Sequence, residues 1–318
     1  MDPVLYLAPL RGFTDVVFRE AFLAFFSGFD FAVAPFISTM SARSFKVSDI
    51  RKVLSENDGG LPVIPQILGN NPEDFIFLAG HLHNLGYPEI NWNLGCPYAM
   101  VAKKKRGSGL LPYPDQIDSF LDKVLSEYPG KLSIKMRLGR HDASEILELL
   151  PILDRYPLSE IIIHPRTGVQ MYDGSTDLSA FERCIPLTRH RLVFNGDINT
   201  IDDFRRLARR FREIERWMIG RGALANPFLP MIIKAGCDKV CGKTETFRRF
   251  HDELYAGYGR ILEGPAHIIS RLKGFWRYFS GAFKDGDKIF KRIKKAKSQA
   301  SYLQVVTEFF DGEPEWAD

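Results

Sequence analysis

Glu89-Ile90-Asn91-Trp92-Asn93-Leu94-Gly95-Cys96-Pro97 is an apolar run that closes in a Gly-Cys-Pro turn. The run reads as a β-strand, so the thiol of Cys96 falls just past its C-terminal end. In a parallel α/β barrel that end of a strand is where chemistry is done. Gly95 allows close approach of another group, and Pro97 stops further strand pairing. A free cysteine is more commonly a small buried apolar residue. The rest of the chain decides between the two readings.

Seven further runs, each bounded by Gly, Pro, Asn or charge, repeat this design: Val4–Ala8, Phe31–Phe36, Val63–Leu68, Leu132–Leu138, Glu160–His164, Arg191–Asn195 and Arg216–Ile219. Several are nearly continuous in apolar residues, as at Ile161-Ile162-Ile163. Such strands suit a parallel sheet covered on both faces. Helical periodicity lies between them. Asp15 to Phe26 carries Val16, Phe18, Ala21, Phe22 and Phe25 at helical spacing, with Thr14 as the expected N-cap. Asn71-Pro72 opens a second helix, Ser144 a third and Thr200 a fourth. Strands alternating with helices in this number predict a (β/α)8 TIM barrel. A doubly wound sheet would need a dinucleotide fingerprint after the first strand, and Ala8-Pro9-Leu10-Arg11-Gly12 is not one.

The alternation stops after Ala225-Asn226-Pro227. From about Gly236 the pattern is helical, charged and rich in aromatics, with breaks at Gly264-Pro265 and Asp285-Gly286-Asp287. The expected division is a barrel over 1–235 and a smaller all-helical domain over 236–318. The acidic tail Asp311-Gly312-Glu313-Pro314-Glu315 is expected to fray. The 318 residues suit a barrel plus a small module, and the apolar content of 45% supports a full core. A net charge of +4 permits a polyanionic partner without demanding one. Cys96, Cys184, Cys237 and Cys241 form no zinc-like spacing, so no metal site is expected. So few thiols in this length point to a reducing cytoplasm. Met1-Asp2-Pro3 carries no signal peptide, and no apolar run is long enough to span a membrane.

Polar residues gather at one end of the strands. Gln66 lies near the end of the third, and Asn93 and Cys96 end the fourth. Lys135 and Arg137 share one face of the fifth, His164 and Arg166 end the sixth, and Asn195-Gly196-Asp197 and Gly220-Arg221-Gly222 end the seventh and eighth. A buried strand seldom carries Lys or Arg without a partner, so Lys135 and Arg137 suggest a charged occupant of the barrel mouth; a structural ion-pair network is the plain alternative. Glycines after the last two strands, with Arg221 between them, suit a phosphate on backbone N–H groups. Ordinary turn glycines are the plain alternative there. A phosphate at that place fits flavin mononucleotide lying across the mouth, with Lys135 and Gln66 at its polar edge. Cys96 would face the ring across a substrate gap, and an unperturbed thiol is protonated at neutral pH.

With these residues in view, the sequence resembles the tRNA-dihydrouridine synthases. The resemblance rests on Leu7-Ala8-Pro9-Leu10, Pro65-Gln66-Ile67-Leu68-Gly69, Asn93-Leu94-Gly95-Cys96-Pro97 and Gly107-Ser108-Gly109-Leu110-Leu111. It continues through Lys135-Met136-Arg137-Leu138-Gly139, His164-Pro165-Arg166-Thr167 with Gln170 and Tyr172, Asn195-Gly196-Asp197-Ile198 and Ile219-Gly220-Arg221-Gly222-Ala223. It implies FMN, reduced by NADPH, with hydride passing from flavin N5 to C6 of a uracil drawn out of folded tRNA and a proton passing from Cys96 to C5. It also implies FMN contacts from Ala8, Pro9, Leu10, Gln66, Lys135, His164, Asn195, Gly196, Asp197, Gly220 and Arg221, and substrate contacts from Asn93, Arg137 and Arg166. Pro165, where relatives commonly have Gly or Ala, and Ala34-Pro35-Phe36, where many have an acidic residue, depart from the family pattern.

Two basic clusters are candidates for RNA phosphates: the loop Lys103, Lys104, Lys105 and Arg106, and a helical face with Lys291, Lys294 and Lys295 continued by Ser298, supported by Arg271, Lys273 and Arg277. A solvated charged face is the ordinary alternative. Phe275, Trp276 and Phe279 are expected in the helical core, and Cys237 and Cys241 are expected on a helix as inert thiols. Two other functions stay open here: a flavin barrel reducing a free pyrimidine, against which the basic helical surface argues, and an RNA-binding protein with an inactive barrel, against which Cys96 and Lys135 argue.

Overall fold

The computed structural model describes residues 2–54 and 60–317. Ten parallel strand segments follow in chain order: β1 (Val4–Leu7), β2 (Phe31–Val33), β3 (Ile37–Ser38), β4 (Val63–Ile64), β5 (Gln66–Leu68), β6 (Glu89–Leu94), β7 (Lys131–Gly139), β8 (Ile161–Thr167), β9 (Leu192–Asn195) and β10 (Arg216–Ile219). Their order is β3-β5-β6-β7-β8-β9-β10-β1-β2-β4. The segments β2 and β3 are halves of one stave interrupted at Ala34-Pro35-Phe36, and β4 and β5 are halves of another interrupted at Pro65. Proline has no N–H for the ladder, so each stave breaks there. Since β2 pairs with β4 and β3 with β5, the staves join and the sheet closes as an eight-staved TIM barrel.

Strand alternation sorts the two faces. Leu5, Leu7, Trp92, Ile134, Ile161, Ile163, Trp217 and Ile219 pack outward against the helices in the main core. Tyr6, Ala8, Val33, Ile64, Ile162, Val193 and Met218 form a second apolar cluster inside the barrel. Above that plug the inward positions turn polar, and this is the floor of the site. At the opposite end Glu160, just before β8, accepts from the Tyr6 hydroxyl at 2.9 Å and pairs with Arg216 at 3.2 Å, tying the start of β8 to β1 and β10.

Helix caps follow the sequence in two cases. Asn71 accepts from the Asp74 N–H with Pro72 in the first turn, and Thr200 forms a capping box with Asp203. At the first helix, Val16–Phe25, the cap is Asp15 instead of Thr14. The Thr14 hydroxyl accepts from Leu10 N–H at 2.8 Å and donates to Ala8 carbonyl at 2.9 Å, so it shapes the loop after β1. Ser144 makes no cap bond; Glu145 collects the N–H groups of Arg140, His141 and Asp142 in its place.

Beyond the barrel run the helices Lys243–Ile261, Pro265–Phe279, Gly286–Lys295 and Gln299–Asp311. Phe275, Trp276 and Phe279 are fully buried among them. The apolar core is continuous with that of the barrel: Phe18 stacks on Phe275 and meets Phe250 edge-on. Three expectations change here. The basic face ends at Lys295, because Ser298 caps the next helix. Cys237 and Cys241 lie in the loop before Lys243 and not on a helix. The acidic tail is pinned: Trp316 packs against Phe228, Phe247 and Phe283, and the Ala317 N–H reaches the Ala282 carbonyl at 2.8 Å. Among the described residues no helix is long and apolar enough to cross a membrane.

Candidate active site

The mouth of the barrel holds one continuous cleft with two lobes. The inner lobe is lined by Ala8, Pro9, Leu10, Lys135, His164, Tyr172, the stretch 195–199, Met218 and the stretch 220–222. The outer lobe adds Asn93, Cys96, Tyr98, Arg137, Pro35 and Phe36. Arg277 and Tyr278, from the helix Pro265–Phe279, close its rim. The stretch that breaks β2 from β3 thus supplies Pro35 and Phe36 to the wall.

Cys96 is 6% exposed. Burial pushes its pKa up, opposed by the Tyr98 N–H and more weakly by Arg11, Arg137 and Arg140. The thiol therefore keeps its proton at neutral pH. Its turn is built by neighbours on three strands. Asn93 Oδ1 accepts from the N–H of Gly95 at 3.1 Å and of Cys96 at 2.9 Å. Asn93 Nδ2 donates to Gln66, whose own amide donates to Asn91, and Asn91 donates to Ser133. Gln66 is fully buried in this chain behind the cleft, with its oxygen held by Asn93. The close-approach glycine is Gly107, not Gly95. A Cβ on Gly107, at φ +57°, would lie 2.8 Å from Cys96 Cβ, whereas one on Gly95 would make only ordinary contacts at 3.5 Å.

Lys135 is half-buried, lines both lobes, and has no hydrogen bond or ion pair among the described residues. Burial, with help from Arg137, pushes its pKa down to about 7. Arg137 is nearly sealed. It donates to the carbonyls of Gly95, Thr167 and Met171 and lies 5.2 Å from the Tyr172 ring centroid. Burial lowers its pKa to about 10, so it stays charged. His164 lies well below the usual imidazole range, through burial first and then the cations Arg137, Lys135, Arg166 and Arg221. Arg166 Nη1 sits 3.0 Å from His164 Nε2. A guanidinium only donates, so Nε2 accepts and the imidazole proton resides on Nδ1.

Arg166 is spent inside the protein. It forms a two-point pair with Asp197 at 2.7 and 3.0 Å and donates to the Gly174 carbonyl. Pro165 explains how it gets there. Arg137 pairs with His164 but Gly139 pairs with Thr167, so β8 carries one extra residue at the proline. A bulge is where a sheet tolerates a missing N–H, and it re-aims the side chains after it. Asp197, at φ +43°, also pairs with Arg221 at 3.0 Å, and the Arg221 guanidinium lies 5.0 Å from the Tyr172 ring centroid. Two arginines thus neutralise one carboxylate, leaving net positive charge beside Gly196, Gly220 and Gly222. The glycines are needed for packing as well: a Cβ on Gly222 would collide with the Ile198 carbonyl at 2.0 Å, and one on Gly196 with Thr176 at 2.6 Å.

The basic loop divides. Lys103 and Lys104 are exposed without an acidic partner among the described residues. Lys105 lies 4.0 Å over the Tyr113 ring. Arg106 binds Asn70 and the Thr39 carbonyl and so anchors the loop. Arg271 donates to the Gly12 carbonyl beside Tyr258, where it joins the helices to the barrel. Lys273 caps the C-terminal end of Gly286–Lys295 through the carbonyls of Lys294 and Ala296. Lys291, Lys294 and Lys295 are exposed with no acidic partner among the described residues. Tyr98 enters the site, and Arg140 braces it through the Pro97 carbonyl, without a sequence signal, because loop folding brings them there; Arg277, expected on the basic helical surface, lies at the rim of the cleft.

The family model described as dihydrouridine synthase matches residues 6–307. A protein of Pseudomonas putida named tRNA-dihydrouridine(16) synthase is 30% identical, over 91% of this chain and 92% of its own. A protein of Staphylococcus epidermidis named probable tRNA-dihydrouridine synthase is 31% identical, over 96% of this chain and 94% of its own. Among solved structures, the old yellow enzyme homologue from Zymomonas mobilis superposes with a TM-score of 0.53 at 12% identity, over 76% of this chain and 91% of that one. This last likeness is one of fold.

Proposed function

The chain belongs to the dihydrouridine synthase family, and from that premise we propose that it reduces a uridine of tRNA to 5,6-dihydrouridine, with FMN in the barrel mouth, NADPH as reductant and Cys96 as the acid. The observation that carries the reading is the pairing, in one cleft, of a thiol only 6% exposed with a half-buried lysine that has no hydrogen bond or ion pair among the described residues. A buried ammonium without a counter-ion is costly, and an electron-rich ring edge would relieve that cost.

The residues present fit a flavin. Ala8, Pro9 and Leu10 would wall one side of the ring, Lys135 and the Nδ1–H of neutral His164 would meet its polar edge, and Arg221 with the backbone at Asn195, Gly196, Asp197 and Gly220 would take the phosphate. Bound there, the cofactor supplies hydride to C6 of the uracil. Cys96 gives its proton to C5, so the C5=C6 bond gains one hydride and one proton, and the thiolate recovers a proton from solvent. Asn93 fixes the Cys96 turn and keeps a second amide hydrogen for the base. Arg137, charged and nearly sealed, would polarise a uracil carbonyl next to the thiol. Arg166 would act through His164 and Asp197, Gln66 through Asn93, and Arg106 through the loop. Since a base inside a stack cannot reach this cleft, it must be extruded. Residues 236–318 would form the RNA platform, with Lys291, Lys294 and Lys295 outward.

The test is to incubate the protein with NADPH and an unmodified tRNA transcript, and to map uridines that gain two hydrogens by mass spectrometry. Position 16 is the first to inspect, because it is in the name of the Pseudomonas putida relative. A flavin-loaded, NADPH-reducible protein that changes no uridine would overturn the reading, and reduction of free uracil in its place would favour the small-molecule alternative.

A further inference from the structure

Directly after the buried Cys96 and Pro97, the chain turns out to solvent. Tyr98 is 51% exposed, and Met100, on the short helix Ala99–Ala102, is 84% exposed. Two large exposed apolar side chains, one lining the cleft and the other two residues further along, invite a partner. The stretch is held in place and does not dangle. At its start Arg140 Nη1 donates to the Pro97 carbonyl at 2.9 Å, and at its end Asn70 Nδ2 donates to the Lys104 carbonyl at 3.1 Å. Arg106 grips Asn70 in turn. Tyr98 shares the outer lobe with Cys96, Arg137 and Tyr172. Lys103 and Lys104 follow, exposed and unpaired with any acid among the described residues.

From this arrangement we propose that Tyr98 and Met100 form a stacking wedge for the nucleobases that flank the extruded uridine. The proposal rests on the tRNA reading above and adds residues that the reading does not use. Pulling one base into the cleft leaves its neighbours without a stacking partner. An aromatic ring is sequence-tolerant in that role, and a methionine thioether adapts to an irregular face. Apolar side chains inserted at an unstacked step hold a distorted nucleic acid open. The adjacent lysines suit the phosphates of the same segment, and so commit the surface to RNA in preference to an apolar protein face.

The test measures equilibrium binding of an unmodified tRNA transcript across a salt series, for the parent protein, Tyr98→Ala, Met100→Ser, the double variant and the conservative pair Tyr98→Phe and Met100→Leu. The double variant is expected to bind about tenfold more weakly at every salt concentration, with the slope of log K against log salt unchanged, since no phosphate contact is lost. The conservative pair should bind as the parent does. A 2-aminopurine placed beside the modified uridine, quenched in the parent by stacking on Tyr98, should be brighter with the double variant than with the parent at saturating protein. Melting temperatures within a degree or so of the parent would show that the fold is intact, as expected for exposed side chains. Parent-like affinity in the double variant would overturn the proposal, as would a loss that appears as a changed salt slope. A parent that binds tRNA but reduces no uridine would overturn the functional reading and leave the wedge to be judged by binding. A parent that binds no tRNA would overturn both.

Discussion

Cys96 and Lys135 are the two residues whose chemistry depends most on burial, in opposite senses. Desolvation keeps the thiol protonated, which suits an acid, and strips the ammonium of its charge preference, which suits a group awaiting a partner. Cys96→Ala should still bind flavin yet lose product formation by about 10²–10⁴-fold, the usual cost of a missing general acid. Dihydrouridine formed per tRNA in a single turnover checks this, and parent-like product at neutral pH would remove Cys96 from the mechanism. For Lys135 the folded pKa of about 7 lies below the ordinary lysine value. Its burden on the folded state is therefore absent above that ordinary value and grows as pH falls toward 7. Lys135→Met should raise the melting temperature of the flavin-free protein at pH 7, lose that advantage as pH rises toward 10, and weaken flavin binding. A variant that binds flavin normally and melts like the parent at both pH values would make Lys135 a bystander. Both residues were legible in the sequence, because a strand end and a two-residue spacing fix where a side chain lies. Gly107 was not: its contact with Cys96 is made by a loop that returns eleven residues later, and nothing local to Gly107 announces it. Asn93 and Gln66 were legible as polar strand-end residues, but their mutual hydrogen bonds, which turn them into supports for Cys96, depend on strand register.

At the scale of the element, the strands were readable because both faces of a parallel strand are buried, so each writes an apolar run. What broke them was also written: Pro35 and Pro65 split two staves, and Pro165 marks the bulge in β8. The use of the breaks was not readable. Only the closed sheet shows that the first break lends Pro35 and Phe36 to the cleft, and that the bulge sends Arg166 to Asp197. The expected cap Thr14 lost to Asp15 because the threonine hydroxyl had a nearer task between Ala8 and Leu10. The closed barrel also creates a liability at its far end. Glu160 has one carboxylate oxygen on Tyr6 and Arg216 and the other buried without a hydrogen-bond partner among the described residues. Burial chiefly raises its pKa to about 7, against the pull of Tyr6 and Arg216. A carboxyl whose folded pKa is raised stabilises the protein fully below its unfolded value and loses that contribution as pH climbs through the folded one. Unfolding by urea should therefore show the parent losing up to about 3 kcal/mol of stability between pH 5 and pH 8 from this group. Glu160→Gln should flatten most of that slope, and an unchanged slope in the variant would assign the pH dependence elsewhere.

At the scale of the whole molecule, composition separated a barrel from a helical segment, but could not show that one apolar core runs through both. That join is made by Phe18, Phe250 and Phe275, and by Trp316, which ties down a tail whose acidic residues read as loose. The join matters because it fixes the helical segment over the cleft, where Arg277 and Tyr278 form part of the rim. Charge on that segment is sorted by task. Arg271 and Lys273 are consumed by carbonyls, Lys288 and Arg292 by acids, and Lys291, Lys294 and Lys295 stand free of acidic partners among the described residues. If tRNA lies across the helix Gly286–Lys295 as well as the Lys103–Lys104 loop, each phosphate contact adds to the salt dependence of binding. Changing Lys291, Lys294 and Lys295 together to Gln should weaken tRNA binding and reduce the slope of log K against log salt by up to about 2–3 units. NADPH oxidation without tRNA should not change, because these side chains lie on the outer helix and the cleft is in the barrel. This outcome differs in kind from that expected at Tyr98 and Met100, where affinity falls and the slope stays. A triple variant that matches the parent in both affinity and slope would show a solvated face with no part in RNA binding, and would place the phosphate track elsewhere on the helical segment.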